Sequence, residues 1–222
     1  MEIGDVKIEF LGHSGFLISH GDKKIAVDPY NVSDGVDKAD FILITHGHYD
    51  HCSIKDISRL SKNGTVIVCT PDVQSKITKV DGVNMQIVEL GDELEFDGLK
   101  IATFPAYNIG KDFHPKSEQW LGYIIKMHEV TIYHSGDSDI IPEMEKLTGY
   151  GKHGTQFVAL LPVSGTYVMN AEEAAEVALM IKPDLAIPMH YGAGVAGTRE
   201  DAEKFMRLCR EEGIRAEILE KV

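Results

Sequence analysis

Residues 41–51 pass from Phe41-Ile42-Leu43-Ile44 straight into Thr45-His46-Gly47-His48-Tyr49-Asp50-His51. Consecutive large apolar side chains predict a strand buried on both faces, bounded at Asp40 and Thr45. That strand has to stop at once, because three imidazoles and one carboxylate follow within six residues. Gly47 is expected to let the backbone turn between the first two histidines. Imidazole and carboxylate are the side chains that hold zinc, manganese or iron. The alternative is a polar loop whose histidines serve only hydrogen bonding, but such crowding is hard to satisfy without a cation.

The rest of the chain is read around this segment. Val6–Leu11, Phe16–Ser19 and Lys24–Val27 alternate as three strands of a meander, the last ending at Asp28-Pro29. Ser53 caps a helix to about Lys62, Val66–Cys69 is a buried strand, and Pro71 opens a short helix to about Lys79. Strands are expected over Met85–Leu90, Glu93–Phe96, Lys100–Phe104, Leu121–Met127, Thr131–His134, Phe157–Leu161 and Leu185–Met189. Helices are expected over Ala171–Ile181, capped by Asn170, and from Thr198 to Glu212, where Thr198 and Asp201 have box-like spacing and Gly213 stops the helix. Ala216–Leu219 is the last predicted strand.

Two later apolar strands end in the same manner as the first. Ile132-Tyr133-His134-Ser135-Gly136 leads to Asp137, and Ala186-Ile187-Pro188-Met189 leads to His190. Asp137 has the alternative of capping the next helix, a task that Asp139 can take instead, ahead of Pro142.

His46-x-His48-x-Asp50-His51 resembles the H-x-H-x-D-H signature of the metallo-β-lactamase superfamily. The resemblance implies an α/β fold, the αββα four-layer sandwich, with two packed mixed sheets and helices outside. No linker or low-complexity run divides the chain, so residues 1–222 are expected to form one domain. In the superfamily a Gly-Asp supplies a carboxylate shared by two cations, and Asp137 matches it. One more imidazole is implied between the signature and that carboxylate. The only histidine in residues 52–127 is His114, in Lys111-Asp112-Phe113-His114-Pro115, after Pro105-Ala106-Tyr107-Asn108. These stretches resemble one branch of the superfamily, although many relatives carry the histidine nearer to positions 107 and 108. The implied set is His46, His48 and His114 on one metal, Asp50, His51 and His190 on the other, and Asp137 between them. Three protein ligands each, besides the bridge, leave open positions, the mark of a catalytic site.

Metal-bound imidazoles need an acceptor on the other ring nitrogen. Asp28 is the first candidate; a plain turn Asp before Pro29 is the alternative. His13 faces the site from the first hairpin or caps its own turn. His134 supports the site or only packs in its strand. Ser164-Gly165-Thr166-Tyr167 is expected to rim the pocket, and Tyr107 and Tyr191 are candidates for touching substrate. His20, His128 and His153 are read as solvated turn residues.

Two cations about 3.5–4 Å apart can hold a hydroxide and stabilise attacking and leaving oxygens. The expected reaction is hydrolysis of a phosphodiester, lactone or ester bond in a small molecule, with Asp137 between the metals and Asp50 passing a proton to the leaving group. The chain resembles most the branch that includes the ascorbate-6-phosphate lactonase-like and N-acyl-phosphatidylethanolamine phospholipase D-like proteins. Zinc is the expected metal, with Mn2+ or Fe2+ as alternatives. Three other readings stay open: a redox di-iron relative, a nuclease, and a non-enzymatic metal-binding or regulatory protein. The di-iron group usually has Glu in place of His48 and carries a flavin domain, and a basic groove has only Lys111, Lys116 and Lys126 to build it. A formal charge of −13 argues against nucleic acid as a partner. Cys52, Cys69 and Cys209 are too few and scattered for a disulfide framework, which suggests the cytoplasm. No signal peptide or membrane span is expected, and oligomeric state is not indicated.

Overall fold

The computed structural model describes residues 1–151 and 154–222, so His153 lies outside the described residues. β1 (Glu2–Ile3), β2 (Val6–Gly12), β3 (Gly15–His20) and β4 (Lys23–Val27) form the antiparallel meander. β5 (Phe41–Ile44), β6 (Val66–Cys69) and β7 (Asn84–Ile87) continue it in parallel to complete a seven-stranded sheet. The second sheet has six strands. β8 (Glu93–Phe96), β9 (Leu99–Pro105), β10 (Leu121–Met127) and β11 (Val130–His134) are antiparallel neighbours; β12 (Gln156–Pro162) and β13 (Leu185–Met189) follow in parallel.

The period-two pattern decides which layer each strand residue joins. Phe41, Leu43 and Val68 point between the sheets, into one cluster with Ile101, Tyr123 and Ile132 of the second sheet. Ile42, Ile44 and Ile67 point the other way, against Ile57 and Leu60 of α1 (Ile54–Leu60) and Ile77 of α2 (Gln74–Ile77). On the far side, α3 (Ala171–Ile181) and α4 (Arg199–Glu211) bring Val177, Ile181 and Phe205 onto the second sheet. The layers are therefore helix, sheet, sheet, helix, as the αββα expectation has it.

Local signals set the ends of the helices. The side chains of Asn170 and Thr198 each accept from the backbone three residues on, and Glu173 and Asp201 close reciprocal capping boxes. Each such cap is worth about 1 kcal/mol. The helix expected from Pro71 is shorter and split: a 3-10 turn over Pro71–Val73 precedes α2. Ala216–Leu219 does not form a strand. Ala216 bridges Ala186 of the second sheet and Lys221 bridges Phe10 of the first, so the segment crosses the seam between sheets and extends neither ladder. No helix of the described residues is long and apolar enough to cross a membrane.

Candidate metal centre

The sequence-predicted ligands converge at one end of the sandwich, across the seam. His46 follows β5, Asp137 follows β11 and His190 follows β13, each at the carboxyl end of its strand. Asp28 follows β4 and His13 sits in the β2–β3 turn at the same end. His114 comes from the loop between β9 and β10. Parallel strands place their carboxyl ends on one edge, and that edge is where open α/β sheets gather ligands. Gly47 has no positive φ; a Cβ there would press on the Asp72 carboxylate, which would have to swing aside. Gly136 has φ 60°, and a Cβ would lie 2.5 Å from the Leu121 carbonyl oxygen, so only glycine delivers Asp137 to the centre.

The hydrogen bonds behind the rings fix which nitrogen faces inward. Asp28 is fully buried and accepts from Thr45 N (2.9 Å), Thr45 Oγ1 (2.6 Å) and His51 Nδ1 (2.7 Å). Thr45 Oγ1 spends its proton on Asp28, so it accepts from His46 Nδ1 at 3.0 Å. One carboxylate thus orients two rings. His114 Nδ1 donates to the Tyr167 carbonyl (3.0 Å), and His190 Nδ1 lies 2.8 Å from Ser164 Oγ. With Nδ1 held from behind in each, His46, His51, His114 and His190 turn Nε2 to the interior. His48 presents Nδ1 instead, 3.0 Å from His46 Nε2 and 3.2 Å from His114 Nε2. Three nitrogens at that spacing repel unless a proton or a cation lies between them.

Asp137 stands between two groups of donors. Its Oδ2 is 3.1 Å from His114 Nε2, 3.2 Å from His190 Nε2 and 3.9 Å from His46 Nε2; its Oδ1 is 3.2 Å from His51 Nε2. His46, His48, His114 and Asp137 form one quartet of donor atoms; His13, Asp50, His51 and His190 form a second. His51 Nε2, His190 Nε2 and Asp137 Oδ1 are buried with no hydrogen-bond partner among the described residues. Leaving such atoms unpaired costs about 1–3 kcal/mol each. A divalent cation in each quartet removes that cost, so the donor set fits the metals that the sequence implies.

Charge follows geometry. Burial pushes the Asp137 carboxyl up, but the His190 and His51 rings and the close contacts of His114 and His190 hold it well below the usual carboxylate range. Burial lowers His51, yet the Asp137 and Asp28 carboxylates outweigh it and raise the ring's pKa well above its ordinary value, the pull that a metal cation at Nε2 would satisfy in place of a proton. His46 goes the other way, held well below its ordinary value by burial and then by the His51 charge. His48 is lowered by burial and by His114. Burial raises Asp50, but the hydrogen bond from His13 and the charge of His51 leave it lowered and ionised. Its Oδ2 therefore only accepts, and the proton in the 2.9 Å contact belongs to His13 Nε2. With His13 Nε2 committed to Asp50, Asp50, His51 and His190 are the members of the second quartet left to a cation. Burial lowers the His13 pKa.

His134 uses both nitrogens: Nε2 donates to the Ser14 carbonyl at 2.9 Å, and Nδ1 accepts from Gly136 N at 3.2 Å. It ties the first hairpin to the loop that carries Asp137. Asp139 caps no helix; it accepts from Ile109 N and pairs with Lys111, while Ile141 precedes the 3-10 turn at Pro142. Cys52 is packed under the sheet, and burial pushes its thiol up to about 11, so it is no nucleophile at neutral pH.

A cavity of about 270 Å3 opens onto the centre, lined by His48, Asp50, His114, Asp137 and His190 and walled by Tyr49, Phe113, Tyr167 and Val195. Phe113 meets Tyr167 edge to face at 4.7 Å. Tyr107 and Tyr191 do not line it. The Tyr107 hydroxyl donates to Glu143 at 2.8 Å, and Tyr191 stacks on Phe10 at 5.6 Å. Sequence reasoning missed Phe113 and Trp120. Trp120 packs 4.8 Å from both His46 and His48 and donates to Asp72. Phe113 adjoins His114, and that adjacency was the available signal.

Comparison with known proteins places these features in company. The profile of the Beta-lactamase superfamily domain matches residues 7–190. A protein of Pyrococcus horikoshii described as a metal-dependent hydrolase is 35% identical over 96% of this chain and 95% of its own length. A crystal structure from Parabacteroides distasonis, described as a candidate metal-dependent hydrolase, superposes with TM-score 0.82 at 29% identity, covering 97% of this chain and 94% of that one. A metallo hydrolase of the archaeon Ignicoccus hospitalis gives TM-score 0.76 at 25% identity, over 97% of this chain and 95% of that one.

Proposed function

The chain belongs to the β-lactamase superfamily, and from that membership we propose that it is a metal-dependent hydrolase of small, uncharged esters or lactones. The supporting observation is the cavity: it is walled by aromatic and aliphatic side chains, and no Lys or Arg lines it among the described residues. Many phosphate-handling sites add arginine or lysine beside their metals to hold the phosphoryl oxygens. Here Lys111 is paired to Asp139 and Lys116 to Glu143, both away from the cavity. A chain of formal charge −13 also repels anionic substrates. About 270 Å3 suits a molecule below ordinary drug size.

His46, His48 and His114 would hold one divalent cation and Asp50, His51 and His190 the other, with Asp137 shared. A donor set so rich in imidazole favours zinc. When bound, such cations supply Lewis acidity and lower the pKa of water toward 7 or so. The chain's own residues do the rest. Phe113, Tyr167 and Val195 seat the apolar part of the substrate and exclude water from it. Asp50 faces the cavity with one oxygen tied to His13, and is placed to hold a proton for the leaving oxygen. Asp28 keeps His46 and His51 in the tautomer that binds metal.

Elemental analysis of protein purified without added metal, with a panel of p-nitrophenyl esters, aryl lactones and bis-p-nitrophenyl phosphate, tests the reading. The expected result is two equivalents of metal, ester or lactone turnover lost in Asp137→Ala, and slower phosphodiester turnover. Faster phosphodiester cleavage would overturn the substrate assignment. Metal with no turnover on any ester would overturn the enzyme.

A further inference from the structure

At the other end of the sandwich, three turns bring a second group of metal-competent side chains together. Asp5 lies in the β1–β2 turn, His20 ends β3 and His128 opens the β10–β11 turn. β4 and β11 start beside these turns and run five residues each toward the centre. At about 3.3 Å per residue, that separates the trio from the centre by roughly 15 Å. Asp5 and His20 belong to the first sheet and His128 to the second.

We propose that Asp5, His20 and His128 form a separate binding site for one zinc-like divalent cation, which clips the two sheets together at the end remote from the cavity. Asp5 Oδ2 lies 3.6 Å from His20 Nε2 and 3.3 Å from His128 Nδ1. Those separations are long for N–H···O bonds, which cluster near about 2.9 Å. The 3.3 Å contact matches the edge of a coordination tetrahedron, about 3.3–3.4 Å for bonds of about 2.0–2.1 Å, and the 3.6 Å contact lies a little beyond it. Contacts within the buried quartets span a similar range, 3.1 Å between His114 Nε2 and Asp137 Oδ2 and 3.6 Å between His51 Nε2 and Asp50 Oδ2. The two rings lie 5.0 Å apart at 11°. Two imidazoles on one such cation have centroids about 5 Å apart by the same bond lengths.

The backbone points the same way. His128 has φ 52° as the first residue of a two-residue hairpin turn, a position that favours glycine. The chain keeps an imidazole there at some conformational cost. His13, His114 and His190 at the buried centre share this left-handed geometry, with φ of 56°, 54° and 61°. Two nitrogens and one carboxylate oxygen occupy three positions of a tetrahedron and leave the fourth to water. All three residues reach solvent, so the ion needs no opening of the fold to enter. As plain surface contacts, the same three groups would contribute little to stability.

The test compares holoprotein, already loaded at the buried centre, with the His20→Gln/His128→Gln double variant and with Asp5→Asn. Each is titrated with Zn2+ against a chromophoric chelator, and its melting temperature is followed as zinc is added. Wild type should take up one equivalent more than either variant, and only its melting temperature should climb with zinc across that binding range. Ester turnover should be the same in all three. The readout is a difference between chains, so it stands whatever the buried centre holds. Equal stoichiometry in wild type and both variants, or equal zinc-dependent stabilisation, overturns the site.

Discussion

His13 Nε2 lies 2.9 Å from Asp50 Oδ2, a buried contact between the first hairpin and the histidine loop that begins after β5. The ring donates and the ionised carboxylate accepts, so Asp50 has one oxygen fixed and one free. Removing the donor in His13→Ala should weaken metal binding at the second quartet by about 10–100-fold, the usual cost of losing a partner behind a ligand. Chelator competition measures it. Unchanged affinity would mean that the loop backbone alone holds Asp50.

Asp28 satisfies three donors from inside the first sheet. Asp28→Ala leaves His51 and Thr45 unpaired in a dry interior and should destabilise the metal-free protein by roughly 3–5 kcal/mol. Asp28→Asn keeps the shape and tolerates the left-handed backbone, φ 41° in the native chain, so its loss should be smaller. Urea unfolding of both variants gives the comparison. Equal losses would show that shape and hydrogen bonding at this position do not matter separately.

Phe113 and Tyr167 form an edge-to-face pair at the cavity mouth. Phe113→Ala should raise KM for aryl esters by roughly 2–10-fold, corresponding to about 0.5–1.5 kcal/mol for an aromatic contact, and leave kcat nearly unchanged. A drop in kcat with constant KM would place the ring in the chemistry rather than in binding.

His134 supplies a pH signature. Burial lowers its pKa from the ordinary 6.5, more than the Asp28 charge and the Ser14 hydrogen bond raise it. The ring is neutral in the folded protein but takes up a proton near 6.5 when unfolded. Below that pH the unfolded chain holds more protons, so this residue's contribution to stability falls as pH drops from 6.5 toward the folded pKa. His134→Gln lacks the effect. The stability gap between wild type and variant should therefore narrow from pH of about 7.5 to about 5.5 in denaturant titrations. A gap that stays constant would contradict the assignment.

What could be read from the chain beforehand follows from the range of each signal. β5, β11 and β13 were legible, together with the ligands at their ends, because an apolar run meeting a polar residue is a local pattern. His114 was reached through a resemblance and by being alone in its window, not through periodicity. His13 remained balanced between two readings because its partner lies 37 residues away and only folding brings them together. Phe113 and Trp120 were missed for the same reason, and Tyr107 and Tyr191 were misplaced because an aromatic near a ligand can turn either way from its loop. The expected strand over Ala216–Leu219 had the right composition, but its neighbours belong to different sheets.

The donors of the centre are divided along the chain as well as across the seam. A ribosome delivers His46, His48, Asp50 and His51 first, then His114, then Asp137, and His190 last. A nascent chain therefore owns the histidine loop long before it owns His190, the last of the donors. Cation capture can be completed only once β13 has delivered His190, so the ion acts as a seal on two sheets already assembled.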